Sequence, residues 1–306
     1  MDPLLSALLL SWDVRPEVLV VLALLGSMYT RGWWRIRRQR AGRLARQVAS
    51  QHPLAAGWRL AAYLGGLAIL GVALMSPIDV LGGQLFAMHM IQHLLLVMIA
   101  PPLLLIANPL PFFLWALPAR TRYAVGGLLN RESPLRRGLR SITAPGLVWM
   151  GFVAVFVGWH DPHAYDAALR SGSVHDLEHI TFFGAAMLYW WQVIGAGPRL
   201  RSLSRGMRLV FLLATIPVNM AAGVAISFAN QPIYPYYAAV PRPWGMSVMQ
   251  DQMLGGVIMW IPGSMMYVLA ALILIAGLIQ TEADKQSLPE SEWASDEAMI
   301  APGWKA

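Results

Sequence analysis

Histidines four residues apart occur twice in this chain. In Met88-His89-Met90-Ile91-Gln92-His93 two imidazoles and two thioethers interrupt an apolar run that ends at Pro101-Pro102, and in His175-Asp176-Leu177-Glu178-His179 a second pair brackets two carboxylates. On a helix, residues i and i+4 share a face about 6 Å apart along the axis, which lets two imidazoles approach one metal ion. His160 and His163, in Trp159-His160-Asp161-Pro162-His163, and Asp251 with Met253 complete the candidate set. Asp176 and Glu178 lie next to the second pair, where they are expected to orient ring N–H groups. Each residue also has a plainer reading: an isolated histidine packs, loop histidines are solvated beside Asp161 and Asp166, and Asp251 caps a helix.

The elements that position these residues are expected to be membrane helices. Hydrophobic residues make up 57% of the chain and charged ones 13%, whereas soluble domains carry about 25% charged residues. A helix needs roughly 20 residues to cross a bilayer, and seven apolar segments are read as the cores of spans: 17–29, 58–75, 84–106, 144–159, 174–194, 209–228 and 247–279. The short alternating pattern of a membrane β-barrel is missing, so the backbone is satisfied within helices. The expected fold is an all-α, polytopic bundle of about seven transmembrane helices, one domain over residues 1–281, with an acidic cytoplasmic tail at 282–306. Residues 112–142 are expected to form an amphipathic helix on the cytoplasmic surface. The N-terminus lacks the basic region of a secretory signal, and no cleaved leader is expected.

Charge sets the orientation. The formal net charge of +7 arises from arginines in short loops between apolar runs, a pattern of membrane topology and not of nucleic-acid binding. Only Arg15, Arg170 and Arg242 fall on one predicted side; the other 20 of the 23 Lys and Arg fall on the opposite, cytoplasmic side, giving an N-out, C-in topology. On this topology six of the seven histidines, all but His52, converge with Asp251 on one outer-leaflet layer. Ionisable groups within a bilayer cost about 2.5–3.5 kcal/mol each, and a shared metal ion compensates several at once. Neutral imidazoles with a carboxylate suit zinc, copper or iron; thioethers beside them favour Cu(I). With no cysteine in the chain, disulfides and thiolate-held clusters are excluded.

The motifs MHMIQHLLL followed by PP, then WHDPHAYDAAL, HDLEHITFFGAAMLYWW and DQMLGGVIMWIPG, resemble in order and content the CtaG-type cytochrome c oxidase assembly family of bacterial membrane proteins, over residues 84 to 265. The resemblance implies a multi-pass protein of the bacterial cytoplasmic (inner) membrane that serves heme-copper oxidase maturation, with copper as the ion. It carries over the positions His89, His93, His160, His175, His179 and Asp251, whose expected role as metal ligands is read from the residues themselves. Expected partners are oxidase subunits, a periplasmic copper carrier and membrane lipid, with no nucleic acid. Two alternatives stay open: an intramembrane zinc or iron enzyme that activates water, and a bundle holding heme between two histidines.

Overall fold

The computed structural model describes residues 10–44, 55–128, 130, 133–196 and 203–286, with side chains for all of these but 40–44 and 281–286. His52 and the tail beyond residue 286 lie outside the described residues. Every regular element described is helical. In chain order they are α1 Pro16–Leu44, α2 Gly57–Met75, α3 Pro77–Gly82, α4 Phe86–Leu94, a π-helical turn Leu95–Ile99, α5 Ala100–Ile106, α6 Pro109–Ala116, α7 Ala119–Leu128, α8 Pro134–Ile142, α9 Pro145–Trp159, α10 Pro162–Arg170, α11 Gly172–Ile194, α12 Arg205–Leu213, α13 Ile216–Ser227, α14 Tyr236–Ala239 and α15 Val248–Gln286. Six of these open on proline, whose fixed φ and missing N–H suit the first helical position. That placement is how a proline-rich chain stays helical.

Four helices among the described residues are long and apolar enough to cross a membrane: Gly57–Met75, Phe86–Ile106, Arg205–Ser227 and Val248–Gln280. The pair α8 and α9, bent by 55° at their junction, makes a fifth if it forms one broken span. The chain is a multi-pass membrane protein. Asp176, Glu178 and two histidines make α11 too polar for that criterion, and the arginines in its second half do the same for α1.

The span Phe86–Ile106 is the central one, with 61% of its apolar window buried against 22–33% in the other three. Its midpoint is irregular because Pro101 and Pro102 have no N–H to return to the preceding turn. A π-helical turn absorbs the mismatch, and the Trp190 indole N–H donates to the Val97 carbonyl at 2.8 Å, supplying the donor Pro101 lacks. Around this core, α15 approaches α4 and α13 through small residues. A Cβ on Gly255 would lie 2.2 Å from the Phe86 ring, and one on Gly223 would lie 2.6 Å from Trp260 Cβ. Such close backbone approach is what small residues provide between membrane helices.

Three local expectations are corrected. Helix α1 does not end at Tyr29 but runs on to Leu44, through the first arginines of the predicted loop; Arg37 and Arg38 stack on Trp33 and Trp34, one turn earlier on the same helix. The single surface helix expected over 112–142 is instead α6, α7 and α8, because Pro118 and Pro134 interrupt it. The stretch between the expected spans 144–159 and 174–194, where the histidines were expected in a loop, forms helix α10, whose first N–H groups are capped by Asp161, which accepts from His163 N at 3.0 Å and Ala164 N at 3.3 Å.

Candidate metal centre

Helix α4 carries the first wall of the site. Its N-terminus is capped from a distant helix: Asp251 of α15 accepts from Phe86 N at 2.8 Å and Ala87 N at 2.9 Å, while Arg242 donates to the same carboxylate at 2.7 Å. Asp251 is fully buried. Its oxygens are therefore occupied in fixing where α4 begins, away from the histidines, and Asp251 is not brought into the group that could hold an ion. Met253 is half exposed.

From that fixed start, His89 and His93 fall on the inner face of α4, both buried. They face α11, where His175, Glu178 and His179 occupy one helical face at spacings of three and four residues. Ligand atoms of His89, His175, Glu178 and His179 all lie within 4.8 Å of one another. His93 joins them: its Nε2 is 2.9 Å from His89 Nε2 and 3.5 Å from Glu178 Oε1, and His89 Nε2 is 3.7 Å from Glu178 Oε2. Donor atoms this close can all reach a single ion.

The polar atoms of this group are poorly satisfied. Glu178 has no exposed surface, and neither of its carboxylate oxygens has a hydrogen-bond partner; the same holds for both ring nitrogens of His179 and for His93 Nδ1. Buried polar atoms are ordinarily paired, and a buried unpaired carboxylate is costly. An ion among the imidazoles would engage the Glu178 carboxylate and one ring nitrogen of His179. The donor set of imidazole nitrogens and one carboxylate fits zinc, copper or iron.

The shell around the group sets ring orientation. Burial pushes the Tyr237 phenol well above its ordinary pKa, so the hydroxyl stays protonated. It donates to the Gly82 carbonyl at 2.8 Å, and its oxygen then accepts from His89 Nδ1 at 3.4 Å and from Tyr165 at 3.2 Å. With the proton on Nδ1, His89 presents the Nε2 lone pair to the cluster. This is the arrangement by which an outer hydrogen bond fixes the tautomer of a metal-binding histidine.

A family model described as cytochrome c oxidase caa3 assembly factor (Caa3_CtaG) matches residues 27–281, most of the chain. The chain belongs to this family. Among curated relatives of this Caa3_CtaG chain, the uncharacterized protein Mb0105 of Mycobacterium bovis is 29% identical over 206 residues, covering 66% of this chain and 31% of that protein. The uncharacterized protein ML1998 of Mycobacterium leprae is 27% identical over 258 residues, covering 82% of this chain and 37% of that one. The chain thus spans about a third of the length of the curated relatives it matches. No solved structure matches it.

Within this Caa3_CtaG chain, the histidines expected at one level separate into three groups. His89, His93, His175 and His179 come together. His160 lies one layer away, its ring centre 6.4 Å from that of His93 and its Nδ1 2.7 Å from the Phe156 carbonyl. The His163 side chain is 97% exposed and is not part of the group. Of the carboxylates near the second pair, Asp176 turns outward to Arg15 at 2.7 Å, while Glu178 turns inward. Sequence reasoning cast both as outer partners, although the i, i+3 spacing of His175 and Glu178 already places that carboxylate on the histidine face. The roles of Tyr237, Gln92 and Arg15 carry no local signal and come from packing. Gln92 donates to Asp79 at 2.6 Å and to the Ala73 carbonyl at 2.8 Å, and Arg15 ties Asp13, Asp79 and Asp176 together above the site.

Proposed function

We propose that this chain is a membrane-embedded assembly factor that binds copper and delivers it to a heme-copper cytochrome c oxidase. The observation that carries this reading is Glu178, a buried carboxylate with no hydrogen-bond partner among four histidines, in a chain of the caa3 oxidase assembly family. His89, His175, Glu178 and His179 are the ligands, with His93 beside them as a replacement donor. Delivery requires ligand exchange, and a fifth donor at 2.9 Å from His89 supplies one. The absence of cysteine leaves imidazole, carboxylate and thioether as the means of holding the ion.

In this reading the chain crosses the bacterial cytoplasmic membrane seven times, N-out and C-in, as one domain with a cytoplasmic tail, and the site faces the extracytoplasmic side. A periplasmic copper carrier loads it and oxidase subunits unload it. The test is complementation of a strain lacking the protein. Wild type is expected to restore copper in the purified oxidase, whereas a His89→Ala/His175→Ala variant inserted at equal level is expected to leave oxidase with heme but without copper. Full copper in oxidase from the variant strain would defeat the proposal.

One observation favours a second reading, a metal-dependent enzyme acting within the membrane. An apolar groove of about 580 Å³ between α1, α2 and α11 reaches His179, with Glu17 at its rim and Phe183 and Met187 along its wall. Such a groove admits an acyl chain next to the proposed ion. Turnover of a lipid substrate by the zinc-loaded protein would support the enzyme; copper transfer without turnover supports the assembly factor.

A further inference from the structure

Immediately inward of the cluster lies a second, smaller space. A cavity of about 40 Å³ is lined by His93, His160, Met90, Met98 and Met259, with Phe156 and Phe182 among its apolar walls. The three methionines are buried. Asn219 also lines it, its amide N–H groups already donating to the Met259 carbonyl at 3.1 Å and Ser264 Oγ at 3.2 Å. The His160 ring uses Nδ1–H to donate to the Phe156 carbonyl at 2.7 Å, which leaves a lone pair on Nε2, an atom that is buried with no hydrogen-bond partner. His93 is in the same condition from the other side. With His89 Nε2 presented as an acceptor, His93 Nε2–H donates to it across 2.9 Å, so the lone pair resides on Nδ1, again buried and unpartnered. Two imidazole lone pairs and three thioethers therefore meet in one cavity that no carboxylate lines.

From this donor set we propose a second metal station, for a soft univalent d10 cation, Cu(I), held by His93, His160 and thioethers drawn from Met90, Met98 and Met259. The inference rests on the reading of the outer cluster as a copper site and deepens it. A neutral donor set disfavours divalent ions relative to a site with a carboxylate, and thioether selects Cu(I) over zinc. Ring centres 6.4 Å apart match two imidazoles on one ion, since two metal–nitrogen bonds of about 2 Å plus the ring radii span about 6 Å. His93 belongs to both stations, one nitrogen to each. An ion would pass inward by releasing His89, His175, Glu178 and His179 and taking His93 Nδ1, His160 and sulfur in their place, with no change of oxidation state.

The test uses the full chain purified in detergent under reducing, anaerobic conditions, titrated with Cu(I) against a competing chelator and separately with Zn(II). Wild type is expected to take up about two Cu(I) and about one Zn(II) per chain, and a Met90→Leu/Met98→Leu/Met259→Leu variant about one of each, because the outer cluster contains no sulfur. Equal Cu(I) uptake by wild type and the triple variant would overturn the second station. Uptake of a single Cu(I), lost on Glu178→Gln but not on the methionine changes, would overturn it while leaving the outer site intact; no uptake of either metal would overturn both. Leucine conserves the volume of methionine, so the variant is expected to fold. X-ray absorption of wild type loaded with Cu(I) decides independently of any variant: sulfur neighbours are expected, and a spectrum with nitrogen and oxygen neighbours alone overturns the proposal.

Discussion

Glu178 distinguishes a metal reading from a packing one. As an ordinary core residue it would be paired; as a ligand it gives up pairing in the metal-free protein and recovers it on binding. Glu178→Gln separates these cases. The metal-free variant is expected to be about as stable as wild type, because one unpaired buried polar group replaces another of the same shape, and to lose most of the thermal stabilisation that metal gives wild type. Thermal melts with and without metal read both effects. Tyr237→Phe acts one atom further out. Without the phenol oxygen, His89 Nδ1–H has no fixed partner, and metal affinity measured by competition titration is expected to fall about 10–100-fold while the fold persists. The histidine pairs were legible in the sequence because helical spacing is a local property. The outward turn of Asp176 was not, since it depends on Arg15 arriving from 161 positions away.

Helix α4 shows how an element far along the chain fixes the register of the site. Asp251 caps it and Arg242 holds Asp251, so the proline- and tyrosine-rich segment before α15, the start of α15 and the His89 helix form one clamp. Tyr237 sits on the same segment and reaches His89. Asp251→Ala is expected to destabilise the protein by about 3–5 kcal/mol, as removal of one partner from a buried ion pair does, while the fraction that remains folded binds metal with wild-type stoichiometry. Chemical denaturation and metal analysis of the folded fraction check the two halves of this statement. The sequence groups Asp251 with the histidines by expected depth, but depth does not tell a ligand from a cap. The interhelical hydrogen bonds make that distinction. At the same scale, helix positions were readable from hydrophobic runs and proline punctuation, whereas the continuation of α1 past Tyr29 was not, because arginines that mark a topological side do not end a helix.

At the scale of the whole molecule, the all-helical membrane character followed from composition, while the number of crossings does not follow from apolarity alone. Helix α11 is polar on the face that builds the site, so the criterion that finds the four apolar spans passes over the helix that matters most. The N-out, C-in orientation rests on the arginine asymmetry and is directly testable because the native chain has no cysteine. In intact spheroplasts a membrane-impermeant thiol reagent is expected to label His163→Cys, exposed in the first turn of α10, and to spare Ser141→Cys, exposed at the end of α8, until the membrane is permeabilised. The reverse pattern would place the histidine cluster on the cytoplasmic side.

The central claim is that His89, His175, Glu178 and His179 hold a metal ion. Elemental analysis of the full chain, purified from copper-supplemented cells without added chelator, measures this most directly, with the His89→Ala/His175→Ala variant prepared in parallel and shown to be folded by its helical circular dichroism. Copper retained by wild type and lost from the variant is the expected result. Equal metal in both preparations, or none in wild type even after loading, would contradict it.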